Sequence, residues 1–165
     1  MEVARLWAII RPLFLLNLAN GAPVLAKKLL GARFSFPIDR GTTAPDHQAL
    51  IGPSKTFRGV LLSVLLTALG GRVLGLSFGT AALFGSAAMA GDLFSSFCKR
   101  RLRFPSSSRA LGLDQVPETL FPLLLCRRAL SLNVTDLLVI VAGFFVYELA
   151  ISKVLYRFHL RDQPY

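Results

Sequence analysis

Apolar residues run through this chain in five long blocks, with the polar residues gathered between them. The blocks extend from about Leu6 to Leu30, Phe57 to Leu74, Phe78 to Lys99, Val116 to Leu130 and Val134 to Tyr156. A bilayer crossing needs about 20 mostly apolar residues. The pattern therefore predicts an all-α, polytopic membrane protein, a single domain over residues 1–165 with about five transmembrane helices. Asn20-Gly21-Ala22-Pro23 interrupts the first block, which predicts a kink or a broken helix there. The fourth block is the shortest, contains Pro122 and ends at Cys126-Arg127-Arg128. Arg5 and Arg11 precede apolar sequence as they would in a signal peptide, but the length of the run and Arg11-Pro12 within it favour a retained span.

Composition agrees with the pattern. Of 165 residues, 53% are hydrophobic and 17% charged, against about 25% charged in soluble domains. The net charge of +10 is unevenly placed. Lys27, Lys28, Arg33, Arg40, Lys55 and Arg58 lie between the first two spans, and Lys99, Arg100, Arg101, Arg103 and Arg109 follow the third. Lys153, Arg157 and Arg161 lie near the C-terminus. Five spans put all of these on one side, leaving Arg5, Arg11, Arg72, Arg127 and Arg128 on the other. The positive-inside rule then places both long polar loops and the C-terminus in the cytoplasm, for a multi-pass protein of the cell membrane. These cations flank apolar spans and form no soluble basic face, so nucleic acid is not the expected partner. Cys98 and Cys126 lack a CxxC spacing, and His47 and His159 are far apart, so neither zinc nor a disulfide framework is indicated.

The third block ends in Gly91-Asp92-Leu93-Phe94-Ser95-Ser96-Phe97-Cys98-Lys99-Arg100-Arg101. A carboxylate at the edge of a bilayer is costly and marks a functional site with a partner. Asp92, Ser96 and Lys99 fall at i, i+4 and i+7, one face of a helix. A carboxylate and an ammonium two turns apart can hold a metal ion and a phosphate side by side. The plainer reading of the basic run is topogenic charge, and it is the expected one for Arg101 and Arg103.

The first loop contains Ile38-Asp39-Arg40-Gly41 and then Gly52-Pro53-Ser54-Lys55-Thr56-Phe57-Arg58-Gly59. The second stretch sets small residues, two hydroxyls and two cations before a helix, where free N–H groups and the helix dipole favour phosphate. It is not a Walker A loop, because Ser54 stands where that motif has Gly before Lys. The plainer alternative is an N-cap, Ser54 or Thr56, with Lys55 and Arg58 reaching to headgroups. The second loop leads to Leu113-Asp114-Gln115-Val116-Pro117-Glu118. Asp114 is either an N-cap or a second carboxylate beside Asp92, and two carboxylates with cations nearby suit Mg²⁺ carrying phosphate oxygens. Asn20 either bonds the backbone that Pro23 frees or contacts a ligand. Asp136 reads as an interfacial N-cap, while Glu148 is deeper with no partner named by the sequence.

Taken in order, these stretches resemble the CDP-archaeol synthase family and, more distantly, the CDP-diacylglycerol synthases. The resemblance covers about Asn20 to Glu118. It implies a cytidylyltransferase that uses CTP and Mg²⁺ on a membrane lipid phosphate. Asp92 and Asp114 would be the metal ligands, and Lys99 a catalytic group beside them. Ser54, Lys55, Thr56, Arg58, Ser96, Asn20 and Asp39 would form the nucleotide- and phosphate-binding set. Phe57 stands where the family usually has Trp, and Cys98 where the broader signature prefers an aliphatic residue. The His-Gly-Gly run of the bacterial diacylglycerol enzymes is missing after Arg101, which favours an archaeol-type lipid over phosphatidic acid. The competing expectation is a non-enzymatic transporter or scaffold. It accounts for the spans but not for the shared face of Asp92, Ser96 and Lys99.

Overall fold

The computed structural model describes residues 2–157, so His159 and Arg161 lie outside the described residues. It contains five helices: α1 (Glu2–Leu30), α2 (Phe57–Val73), α3 (Phe78–Arg101), α4 (Gln115–Cys126) and α5 (Val134–Arg157). Among the described residues there is no strand, and the two β-bridges, Pro37 with Thr56 and Thr43 with Ala49, are isolated pairs in the first loop. Their bounds follow the apolar blocks closely, with one shortening and one continuity to explain.

The shortening is α4. Its 12 residues reach about 18 Å at 1.5 Å per residue, well short of a hydrocarbon core of about 30 Å. The apolar block continues to Leu130, but the chain turns at Arg127, where Leu132 N–H donates to Arg127 O (3.0 Å) and Arg127 Nε donates to Leu132 O (3.1 Å). Leu130 and Leu132 stay buried in the core without being helical. Three helices of the described chain, over Arg5–Leu30, Phe78–Arg101 and Val134–Ile151, are long and apolar enough to cross a membrane. The expected five spans are thus five helices, of which α4 is too short for a full crossing and α2, at 17 residues, reaches about 25 Å.

The continuity is α1, which runs unbroken through Asn20-Gly21-Ala22-Pro23. Pro23 has no N–H to offer the carbonyl of Ala19 one turn earlier. Ser63 of α2 supplies that bond from another element, donating its hydroxyl to Ala19 O at 2.7 Å in a buried position. A neighbouring Ser hydroxyl is one of the means by which membrane helices tolerate proline.

The helices meet through small residues, as membrane helices do when backbones pack closely. Gly59, Ser63, Thr67, Ala68 and Gly71 form the buried face of α2. A Cβ on Gly70 or Gly71 would run into Leu18 of α1 or Ala81 of α3, and one on Gly85 would lie 2.9 Å from Thr67 Cβ. Phe84, Leu15, Leu16, Leu123, Ile140 and Phe144 fill the core. Gly91 is the tightest point between α3 and α4. A Cβ there would strike the carbonyl of Pro117 and lie 2.7 Å from Glu118 Cα. Only glycine allows this crossing, and it sets Asp92 beside Glu118. Large apolar side chains such as Trp7, Phe14, Leu138 and Val146 point outward, the inverse of a soluble bundle.

Cap chemistry decides three helix starts. Thr56 Oγ1 accepts from Gly59 N–H (3.3 Å) at α2, and Ser77 Oγ accepts from Thr80 N–H (3.1 Å) at α3. At α5 the cap is Asn133, whose amide oxygen accepts from Asp136 N–H (2.8 Å) while Asp136 accepts from Asn133 N–H (3.0 Å). Asp136 is thus the returning half of a reciprocal capping box and not the cap itself.

Candidate active site

The polar ends of α1 and α3, the starts of α2 and α4, and Glu148 of α5 converge at one end of the bundle on a cavity of about 340 Å³. A second lobe of about 400 Å³ adjoins it under the first loop. Lys55 and Asp92 line both lobes and mark where they meet.

Two lysine–aspartate pairs dominate the charge. Lys55 Nζ lies 2.6 Å from both carboxylate oxygens of Asp92, joining the start of α2 to α3. Lys99 Nζ lies 2.6 Å from Asp114 Oδ1 and also donates to Ser108 O at 3.0 Å. Burial disfavours the charged Lys55, but Asp92 outweighs it, through its charge and its hydrogen bond, and raises the ammonium above its usual range. Burial likewise opposes ionisation of Asp114. The bonds from Lys99, Ala110 N–H (2.9 Å) and Ser95 Oγ (2.7 Å) prevail and hold its carboxyl below the usual aspartate range.

Asp114 makes no cap bond to α4; it turns back to fold the second loop. Ser95, the donor to Asp114, was not among the residues the helix face of Asp92, Ser96 and Lys99 singled out. The face rule finds neighbours along one helix, whereas Ser95 reaches a different element. Ser96 is buried and lines the cavity.

Two further carboxylates line the same cavity. Glu118 is 3% exposed and its Oε1 has no hydrogen-bond partner. The Asn20 amide approaches it, but Asn20 Nδ2 completes no hydrogen bond either. The freed Ala19 carbonyl goes to Ser63, so Asn20 is not the group that repairs the helix at Pro23. Glu148 stands near Gln115 and Arg109. Glu118 ends the 113–118 stretch with no role that sequence spacing assigns, because its meeting with Asp92 depends on the crossing at Gly91.

Other expected residues are placed differently. Asp39 lies outside both lobes, its carboxylate accepting from Gly52 N–H (2.7 Å), Ile51 N–H (3.0 Å) and Gly41 N–H (3.1 Å). Burial opposes its ionisation, but these donors win and lower its pKa. It shapes the loop that carries Ser54 and Lys55, and the structure does not bring it to the cavity. Thr56 caps α2 at the rim of the second lobe, which Ser54 and Arg58 also line. Arg58 donates to the carbonyls of Gly31 (2.8 Å) and Arg33. Arg101 is more than topogenic charge. It donates to Asp46 (2.7 Å) and Ala49 O (2.7 Å) and stacks on Phe97, tying α3 to the first loop. Arg100 lines the cavity and donates to Pro105 O (2.7 Å).

The donor set suits a hard divalent cation. Asp92, Asp114 and Glu118 offer carboxylate oxygens to one space, and Glu118 Oε1 is buried without a partner. Among the described residues no three His, Cys, Asp or Glu side chains converge as a ready-made metal cage. Mg²⁺ is commonly held by one or two carboxylates, with waters and substrate phosphates completing its shell.

An all-helical bundle of long apolar helices, with paired acids and cations around a cavity at one end, defines a multi-pass membrane protein with a polar site built for an anionic ligand. Its fold matches a solved intramembrane enzyme for archaeal membrane lipid biosynthesis with a TM-score of 0.67 and 27% identity, over 83% of this chain and 90% of that one. The family model of CarS-like CDP-archaeol synthase matches residues 8–165. The CDP-archaeol synthase of Pyrobaculum calidifontis is 32% identical over 99% of both chains, and that of Sulfurisphaera tokodaii 33% identical over 89% of both. The chain belongs to the CDP-archaeol synthase family, and it is an enzyme of the nucleotidyltransferase type, a membrane lipid cytidylyltransferase.

Proposed function

We propose that this chain transfers the cytidylyl group of CTP to an archaeol-type lipid phosphate, a glycerol phosphate with two ether-linked geranylgeranyl chains, on the cytoplasmic face of the cell membrane. The observation that carries the reading is the meeting of two lysine–aspartate pairs in one cavity at the end of a membrane-embedded bundle. An oxygen of the lipid phosphate attacks the α-phosphorus of CTP. The bond from that phosphorus to the bridging oxygen breaks, and pyrophosphate leaves with the electron pair.

Such a transfer asks for positioning and charge neutralisation more than for covalent chemistry. Lys55 exchanges its carboxylate partner for phosphate oxygens, and Lys99, still held by Asp114 and the Ser108 carbonyl, adds its charge beside it. Arg58 and Arg100 stand at the edges of the two lobes as further cations. Ser54 and Ser96 donate hydrogen bonds to the nucleotide, and Asn20 to the lipid phosphate. Asp92 and Asp114, with Glu118 beside them, hold Mg²⁺, which when bound offsets the charge of the triphosphate and of the leaving pyrophosphate.

The test is turnover. Purified protein in detergent receives CTP, Mg²⁺ and either the geranylgeranylated glycerol phosphate or phosphatidic acid, and CDP-lipid is measured by mass. Product with the ether lipid, and much less with phosphatidic acid, is expected. No CDP-lipid from either would sink the reading.

A further inference from the structure

A third hollow opens sideways from the cavity. It is a groove of about 390 Å³ between α1 and α5, walled by Gly21, Leu25, Phe144, Tyr147 and Ile151. It shares Asn20, Val24 and Glu148 with the cavity that holds the two ion pairs, so the two spaces adjoin at these side chains. We propose that this groove seats an isoprenoid chain of the lipid substrate and delivers its phosphate past Asn20 to Lys55 and Lys99; this rests on the reaction proposed above.

Four observations choose the occupant. The groove lies between two helices that are both long and apolar enough to cross the bilayer, so its mouth faces lipid. These helices are the ones that turn most of their surface outward. In their apolar windows, 28% of α1 and 22% of α5 is buried, against 50% of α3. The polar group at the junction is unspent, since Asn20 Nδ2 is buried without a hydrogen bond, a donor suited to a phosphate or ether oxygen passing between the spaces. Lys28 stands on the groove wall, where it attracts an anionic headgroup. A nucleotide is excluded as the occupant of this groove by its apolar wall and its opening toward hydrocarbon.

Gly21 allows a direct test. A Cβ at Gly21 would meet nothing within 4 Å, so a large side chain can enter the groove without displacing the fold. Gly21→Trp, and Leu25→Trp as a second obstruction, are compared with Val146→Trp, which adds the same bulk on an outward position of α5 that is 65% exposed. Both obstructions are expected to raise the KM for the lipid phosphate roughly tenfold while leaving kcat and the KM for CTP near wild type, the signature of lost binding that is equal in ground and transition states. A diazirine-tailed lipid phosphate should crosslink to α1 and α5 in wild type and in Val146→Trp, and lose those crosslinks in Gly21→Trp. A lipid KM matching the Val146→Trp control, or wild-type crosslinks confined to other helices, would overturn the groove. Crosslinks at α1 and α5 without any CDP-lipid formation would keep the groove and sink the proposed reaction, so the two failures are distinguishable.

Discussion

The two lysine–aspartate pairs share a length of 2.6 Å but not a setting. Asp92 gives both oxygens to the single ammonium of Lys55, and the pair is 19% and 25% exposed. Asp114 divides its oxygens among Lys99, Ser95 and the Ala110 N–H, and its lysine is only 9% exposed and also bound to the Ser108 carbonyl. One pair joins the start of α2 to α3 through a single two-oxygen contact. The other is woven into the loop that closes the cavity. A residue type and a distance do not define a role; the count of remaining partners does. Under the proposed function the Asp92 pair would be the one that substrate opens, and Asp114 would serve as ligand and scaffold together.

The largest expected effect comes from Asp92→Asn. An amide can still accept from Lys55 but no longer offsets its charge, so thermal unfolding in detergent should move down, by less than in Asp114→Asn because this pair is more exposed and Glu118 and Asp114 also act on the ammonium. Turnover should fall about 100-fold or more, the scale of losing one electrostatic group at a reacting phosphate. A stability loss as large as that of Asp114→Asn would erase the distinction between the pairs.

Asp114→Asn should lower both. An amide cannot serve Lys99, Ser95 and Ala110 together, and the lost stability should be about 2–3 kcal/mol, the cost of leaving buried donors and a charge unmatched. Denaturant melts of the two variants measure the difference directly. Ser95→Ala is smaller, about 1.5 kcal/mol, the lower end for a hydrogen bond to a charged group, with Asp114 still held by its other partners.

Titration separates the pairs by the side on which each fails. The pKa of Asp114 is lowered from its ordinary 3.8, so its stabilisation is complete above that value and is lost as pH falls through the folded-state pKa. The pKa of Lys55 is raised from its ordinary 10.5, so its stabilisation is complete below that value and is lost as pH climbs through the folded-state pKa. Unfolding midpoints measured across pH should show both limbs. The acid limb should shrink in Asp114→Asn, with a remainder from Asp39, whose pKa is also lowered.

Helix positions were legible in the sequence because lipid imposes long apolar blocks, and the ends of α2, α3 and α5 fall where hydropathy changes. What escaped was nonlocal. Of the kink or break expected at Pro23, the break does not occur, and the carbonyl that Pro23 frees is taken up by Ser63, which lies on another helix. The overlong fourth block includes Leu130 and Leu132, which are apolar because they enter the core from a turn. In the cavity, Asp92, Ser96 and Lys99 were visible from helical spacing, and Asp114 from its place before an apolar block. Ser95 and Glu118 were not, since their partners depend on the crossing at Gly91 and on the return of the second loop. Asp39 in the first loop and Arg101 at the end of α3 carry charge that suggests ligand binding or topology. Their partners are backbone groups and a loop aspartate that no spacing rule connects to them.

The measurement closest to the central claim is the fate of two labels. Protein in detergent with Mg²⁺ and the geranylgeranylated glycerol phosphate receives CTP labelled either at the α- or at the γ-phosphate. Cytidylyl transfer puts the α label in the lipid fraction and the γ label in pyrophosphate, and Asp92→Asn should suppress both together. Label from the γ-phosphate in the lipid, or none from the α-phosphate, would contradict it.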